Sequence, residues 1–222
     1  MNTKRERRKR RAPSSAPSRR PKKDIAAAAP IPWLAQCIWP FIGLMLTIFS
    51  TFFQASVIAI PADWGSGLSK HYLGVTYQVG AVLLTGCLAG RDAAIVAQIA
   101  YLILGLTSLS VFGQGGGLDY WREPSFGYIL GFVPGAGLCG WLAFRKRNSL
   151  ENLAISAFCG LVVIHIVGII YLILISILTG SPAISTVPEL LRHYSFLSLP
   201  GQFVIICITA LISFLLRSVL FY

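Results

Sequence analysis

The chain has 222 residues, of which 55% are hydrophobic and 12% charged, with a mean hydropathy of +0.69. Soluble domains carry about 25% charged residues, so a water-soluble globule is excluded and the chain reads as an integral membrane protein. The net charge of +11 suggests nucleic acid until it is located: eleven of the nineteen Lys and Arg residues fall within 1–23, a run with no interleaved aromatic residue and no folded reader, so nucleic acid is not an expected partner.

Residues 1–30 are basic and broken by Pro13, Ser14, Ser15, Pro17 and Pro21. Without apolar periodicity they are expected to form a disordered cytoplasmic tail near anionic membrane lipid, where they fix the topology. The apolar run that follows is too long for a cleaved signal peptide and is punctuated by Pro40. Ser18-Arg19-Arg20 resembles a twin-arginine signal, but Pro21-Lys22-Lys23 stands where apolar residues are wanted; the Arg- and Ser-rich arm leaves an organelle transit peptide open. The remainder, 31–222, is expected to be one compact transmembrane domain.

Apolar runs predict helical spans near 33–60, 72–90, 92–108, 126–144, 152–178 and 199–220. Isolated strands would leave backbone groups unpaired in lipid, and the segments lack barrel alternation, so the expectation is an all-α bundle of six transmembrane helices. Gly90-Arg91-Asp92 breaks the second from the third, Arg145-Lys146-Arg147-Asn148 the fourth from the fifth, and Pro182 and Pro188 mark an irregular last connection. With the tail in the cytoplasm, Arg91, Arg145, Lys146, Arg147 and Arg217 fall on the inner side and only Lys70, Arg122 and Arg192 on the outer. Six spans with both termini cytoplasmic therefore satisfy the charge rule. Asp63, Asp119, Glu123 and Glu189, with Trp64, Tyr120 and Trp121, fall in the outer connections.

Small residues recur every four positions along the first helix at Gly43, Thr47, Thr51, Ala55 and Ala59. Such a face serves either packing within the bundle or docking to a separate membrane subunit. Gly127, Gly131 and Gly135 form a second stripe beside Pro134, predicting a tightly packed or bent fourth helix. Cys37, Cys87, Cys139, Cys159 and Cys207 each lie inside an apolar segment without C-x-x-C spacing and read as lone packing residues, with no metal set.

Gly113-Gln114-Gly115-Gly116-Gly117-Leu118-Asp119 puts flexible backbone between two membrane-length runs. A phosphate-binding loop would continue with Lys-Ser or Lys-Thr, so the functional reading is a mobile lid and the alternative a plain connection. Gln78, Gln98, His165 and Gln202 are polar residues inside apolar spans and each needs a reason. Gln78 and Gln202 lie near the outer ends of their helices, where ligand contact and interhelical hydrogen bonding are both open. His165 reads equally as a packing histidine or a ligand contact, and Gln98 as a bundle hydrogen bond. Neither a nucleophile motif nor a buried carboxylate pair is present, so no catalytic residue, cofactor or enzyme activity is expected, and any uphill transport must draw energy from elsewhere.

Val75-Thr76-Tyr77-Gln78, Leu88-Ala89-Gly90-Arg91-Asp92-Ala93, Tyr101-Leu102-Ile103-Leu104-Gly105-Leu106, Val111-Phe112-Gly113 and Pro124-Ser125-Phe126-Gly127-Tyr128-Ile129-Leu130-Gly131-Phe132 occur in order. This resembles the BioY family, the biotin-specific substrate-capture (S) components of energy-coupling-factor (ECF) transporters, closely over 72–145 and loosely beyond. The resemblance implies a six-helix S-component fold in the cell membrane that takes biotin from the outer face. It also implies a coupling transmembrane subunit, contacted through small residues of the first helix such as Gly43, Thr47, Thr51 and Ala55, and two ATPase subunits, although some members are thought to act without ATPases of their own.

The chain departs from the family where Pro-Gly-Asp with a Lys three residues on is usual: it reads Pro200-Gly201-Gln202, with Ile205 in place of the cation. Gln202 can still donate and accept toward a ureido ring, whereas Ile205 cannot pair with a carboxylate. Arg122, favoured over Lys70 and Arg192 because it sits in the lid loop, is the expected partner of the ligand's acid group. The expected substrate contacts are Thr76, Gln78, Gln114, Gly116, Tyr128, Tyr171 and Gln202, with Phe112 and Phe126 as walls under loop 109–125. The competing readings are another small vitamin-like ligand in the same fold and a non-transporting membrane scaffold.

Overall fold

A computed structural model describes residues 33–59, 69–107, 109–178 and 187–220. The basic arm, Asp63, Trp64 and Pro182 lie outside the described residues, as does the side chain of Lys70.

Helix α1 (Trp33–Thr51) leads into an antiparallel hairpin, β1 (Gln54–Ala59) and β2 (Ser69–Thr76), followed by α2 (Gln78–Leu106). A 3-10 turn (Leu118–Arg122) precedes α3 (Phe126–Arg145) and α4 (Leu150–Leu178). The short α5 (Val187–Leu191) and a π-helical turn (Arg192–Phe196) then feed α6 (Ser198–Leu220). Four helical stretches, Gln78–Leu106, Phe126–Arg145, Leu150–Leu178 and Val187–Leu220, are long and apolar enough to cross a membrane, and Cys37–Thr51 is a shorter apolar helix.

One expected element needs correction. Residues 54–59 and 72–76, read as helix, are strand: their backbone groups pair with each other across the hairpin, so the objection to isolated strands does not apply. The helices expected at 72–90 and 92–108 are the two arms of α2, separated by non-helical backbone at Gly90, where φ is +83° and the chain folds back on itself. In a straight helix Gln78 and Tyr101 would stand roughly 35 Å apart, yet Gln78 Nε2 donates to Tyr101 Oη at 2.8 Å. Gly43 likewise abuts both Thr85 and Ala97. Arg91 and Gly90 press on Gly140 so closely that a Cβ there would stand 2.7 Å from backbone.

The small-residue face of α1 turns inward onto α2. Gln98 Nε2 donates to Thr47 Oγ1 at 3.1 Å, Thr51 Oγ1 meets Tyr101 Oη at 3.2 Å, and Ala55 is fully buried. Gly43, Thr47, Thr51 and Ala55 are therefore consumed by packing inside the chain, which corrects their assignment as a partner contact. Phe41 and Phe49 occupy the outward side of α1, and Phe52 and Phe53 just past its end are exposed as well.

The glycine stripe of α3 meets α4 at backbone distance. A Cβ on Gly131 would stand 2.8 Å from the Ile164 carbonyl oxygen, and one on Gly135 2.9 Å from that of Gly160. Cys87 and Cys139, read as lone thiols, are neighbours in the core with 3.5 Å between sulfurs, while Cys37 and Cys207 are exposed. Near the far end of the bundle the buried Arg217 of α6 donates to the Ala143 carbonyl at 3.0 Å, its guanidinium 4.1 Å from the Phe144 ring centroid.

Candidate functional site

At the end of the bundle that carries the hairpin lies a cavity of about 320 Å³, within the range of pockets that hold small ligands. Its apolar surface comes from Val79, Ile129, Phe132 and Ile164, its polar surface largely from Thr76, Gln78, Gln114, Tyr128, Ser198 and Gln202. Gly113 of the glycine-rich loop, Tyr120, and the pair His193 and Tyr194 from the π-helical turn also line it.

Two of the three cavity glutamines, Gln78 and Gln202, are held from behind. Tyr101 Oη donates its single hydrogen to the Val111 carbonyl at 3.1 Å, so it can only accept from Gln78 Nε2. The Gln78 carbonyl is thereby free as an acceptor. Gln202 is held through its oxygen: Oε1 lies 2.6 Å from His165 Nε2. His165 Nδ1 lies 3.3 Å from Ser195 Oγ, which stands 2.7 Å from Tyr128 Oη. His165, left undecided by sequence, is thus the buried support of a cavity residue. Gln98 is a bundle hydrogen bond, as the sequence suggests.

The loop between α2 and α3 is pinned at several points. Phe112 and Gly115 exchange backbone hydrogen bonds of 3.0 and 3.1 Å, and Gly117 N–H donates to the Gly105 carbonyl at 2.8 Å. Gly115 and Gly117 have φ of +119° and +105°, which favour glycine at both positions. The Phe112 ring, 1% exposed, is driven down over Gly105 and lies 5.3 Å from Tyr101 and 4.6 Å from Tyr120, centroid to centroid. Tyr120 in turn meets Ser125 Oγ at 3.2 Å, and burial pushes its phenol above the usual tyrosine range, keeping it protonated.

Thr76, Gln78, Gln114, Tyr128 and Gln202 come together around the cavity; the other expected contacts do not line it. Phe112 is spent as the loop's anchor. Gly116 packs against the Leu109 and Gly105 carbonyls, and Phe126 is buried between Tyr120 and Tyr171. Tyr171 donates to the Trp121 carbonyl. Arg122 is exposed and stacks over Trp121, 5.3 Å from its ring centroid. Among the described lining residues there is neither Arg nor Lys, and His193 is the one able to take a positive charge. Ile205 is buried against Gly80, outside this cavity.

Sequence reasoning missed His193, Tyr194 and Ser198, which follow a Pro-bounded connection without periodicity. It also missed Ile129 and Phe132, although Phe132, three residues after Ile129 and four after Tyr128, was a usable sign of a shared helix face. Among the described residues no cluster of His, Cys, Asp and Glu is arranged to hold a metal ion.

The chain resembles known proteins over most of its length. A 21.2 kDa protein of Cyanophora paradoxa, from the psbX-ycf33 intergenic region, is 33% identical over 183 residues, covering 82% of this chain and 95% of that protein. A probable biotin transporter BioY of Lysinibacillus sphaericus is 36% identical over 98 residues, 44% of this chain and 50% of that protein. The biotin transporter BioY of Thermotoga maritima is 35% identical over 98 residues, 44% and 57% of the two chains. In three dimensions the chain superimposes on the crystal structure of the S-component for biotin from an ECF-type ABC transporter with a TM-score of 0.61 at 20% identity, covering 84% of this chain and 92% of that one. That structure establishes a shared fold, and the BioY family model matches residues 32–221: the chain belongs to the BioY family.

Proposed function

We propose that this BioY-family protein is the membrane subunit that captures biotin for uptake, a transport component and not an enzyme. The observation that carries the reading is the cavity itself, in which an apolar surface of Val79, Ile129, Phe132 and Ile164 is combined with the amides of Gln78 and Gln202. Biotin has a compact bicyclic head whose ureido group offers N–H donors and one carbonyl acceptor, and an aliphatic chain ending in a carboxylate. The free Gln78 carbonyl suits a ureido N–H, and Gln202 reaches the same ring from α6. His193 takes the place first given to Arg122 as the partner of the carboxylate. The biotin-related relatives support the same ligand.

In this reading the two arms of α2 count as separate crossings, giving six in all, with both termini cytoplasmic and the cavity at the outer face of the cell membrane. The basic arm and Arg91, Arg145, Lys146 and Arg147 favour that orientation. Energy comes from an ECF coupling subunit and its two ATPases. Since the stripe of α1 is buried, the coupling subunit meets other surfaces, of which the outward phenylalanines of α1 are one.

Calorimetric titration of the detergent-solubilised full chain with a panel of vitamins tests the assignment. Saturable binding of biotin alone supports it. Binding of a different vitamin redirects the site to that ligand, and no binding by a cooperatively melting protein returns the chain to a scaffold role.

A further inference from the structure

The amide of Gln202 has two ends with opposite hydrogen-bonding character, and its oxygen is the end that faces His165. Oε1 can only accept, so the His165 Nε2 that lies 2.6 Å from it carries the hydrogen. In the neutral imidazole Nδ1 then accepts from the Ser195 hydroxyl at 3.3 Å, and the Ser195 oxygen accepts from Tyr128 Oη at 2.7 Å. The three donors point one way along the chain, and their direction ends on Gln202 Oε1. Ser195 and His165 are both buried, so water does not readily supply replacements for these partners. The other end of the amide, the Gln202 NH₂, has no hydrogen-bond partner among the described residues, and Gln202 lines the cavity.

On the reading of the cavity as a biotin site, we propose that His165, held by Ser195 and Tyr128, is a positioning residue that locks Gln202 as a hydrogen-bond donor, so that the protein selects a ring presenting a carbonyl acceptor at that point. Gln78 is locked in the opposite sense by Tyr101 and offers an acceptor. The site therefore supplies one donor and one acceptor amide from different helices, and a ureido ring supplies their complements. A carboxylate at position 202 accepts the His165 N–H equally well but leaves a second acceptor facing the ligand.

Iminobiotin separates these cases, because its protonated ring bears a C–NH₂ group that only donates where biotin has the accepting carbonyl. With purified full-length protein at neutral pH, calorimetry is expected to give a preference for biotin over iminobiotin of about tenfold or more, the scale of one good hydrogen bond exchanged for a donor–donor clash. Gln202→Glu inverts that preference. His165→Phe frees the amide to turn and brings the ratio close to one, whereas His165→Gln, which returns an N–H donor near the Nε2 position, restores the native preference.

A biotin preference that survives Gln202→Glu, or a native ratio in His165→Phe, overturns the role given to His165 while leaving biotin capture intact. Failure of the folded native chain to bind biotin overturns the biotin reading and this selection mechanism together. Should His165→Phe fail to fold, the ratio in Gln202→Glu decides alone, since Glu matches Gln in size and still accepts from His165.

Discussion

Gly105→Ala should open the loop that borders the cavity without unfolding the bundle. A methyl group at position 105 lands in the Phe112 ring, which packs against Tyr101, Tyr120 and Phe126. The ring must leave its seat, forfeiting burial worth about 1.5–3 kcal/mol, while the better helix propensity of Ala returns about 1 kcal/mol. The net cost of roughly 0.5–2 kcal/mol corresponds to about a two- to thirtyfold rise in the open population of the loop. Gly115 and Gly117 report it directly, because their N–H groups are bonded to the Phe112 and Gly105 carbonyls. Hydrogen exchange followed by mass spectrometry should show that acceleration across 109–125, with α3 and α4 as protected as before. A cycle with Phe112→Ala sharpens the test: once the ring is gone, the added methyl has nothing to displace and Gly105→Ala should be neutral or mildly stabilising. Additive losses in the cycle, or unchanged exchange in Gly105→Ala, would refute the anchoring role of Phe112.

Tyr101→Phe removes the hydroxyl that holds Gln78, and a lost hydrogen bond of about 1 kcal/mol predicts about a fivefold loss of biotin affinity by calorimetry, with a smaller effect on melting. His193→Ala should weaken biotin and leave biotin methyl ester unaffected, whereas Arg122→Ala should change neither by more than about twofold, the null expected of an exposed side chain; equal loss of both ligands in His193→Ala would remove His193 as the carboxylate partner. Arg217→Ala deletes the bond from α6 to the Ala143 carbonyl, and a charged hydrogen bond of about 1.5–3 kcal/mol should appear as a lower thermal midpoint in detergent without any change in biotin selectivity.

Most of the helical architecture was legible from hydropathy, because long apolar runs in a membrane have few alternatives to helix. Gln78 and Gln202 stood out for the same reason: an amide in an apolar span demands a partner. The break at Gly90-Arg91-Asp92 was visible too: Gly90, with a positive φ, turns the chain between the two helical arms of α2 without a longer loop. The β hairpin escaped because short apolar runs at a helix end look alike whether they continue as helix or extend as strand. Sequence spacing marked the stripe from Gly43 to Ala55 as a close-packing face but could not say what packs there; Thr85, Ala97, Gln98 and Tyr101 of the same chain occupy it. Phe112 and Arg122 were assigned to the cavity because they lie in its loop, and ring packing against Gly105 and stacking on Trp121 take them elsewhere. Nothing in the order of residues places His165 behind Gln202, 37 positions away.

The fold-back at Gly90 also bears on how the protein is made. The pair of Gln78 and Tyr101 is closed within 29 consecutive residues, so one wall of the binding chamber can form from a local helical hairpin soon after it leaves the ribosome. The Gln202 wall needs α3, α4 and α6 to meet, and α6 follows the other two in chain order. A nascent chain therefore carries half a receptor until α6 inserts, and truncation within α6 should abolish ligand capture while sparing the earlier hairpin.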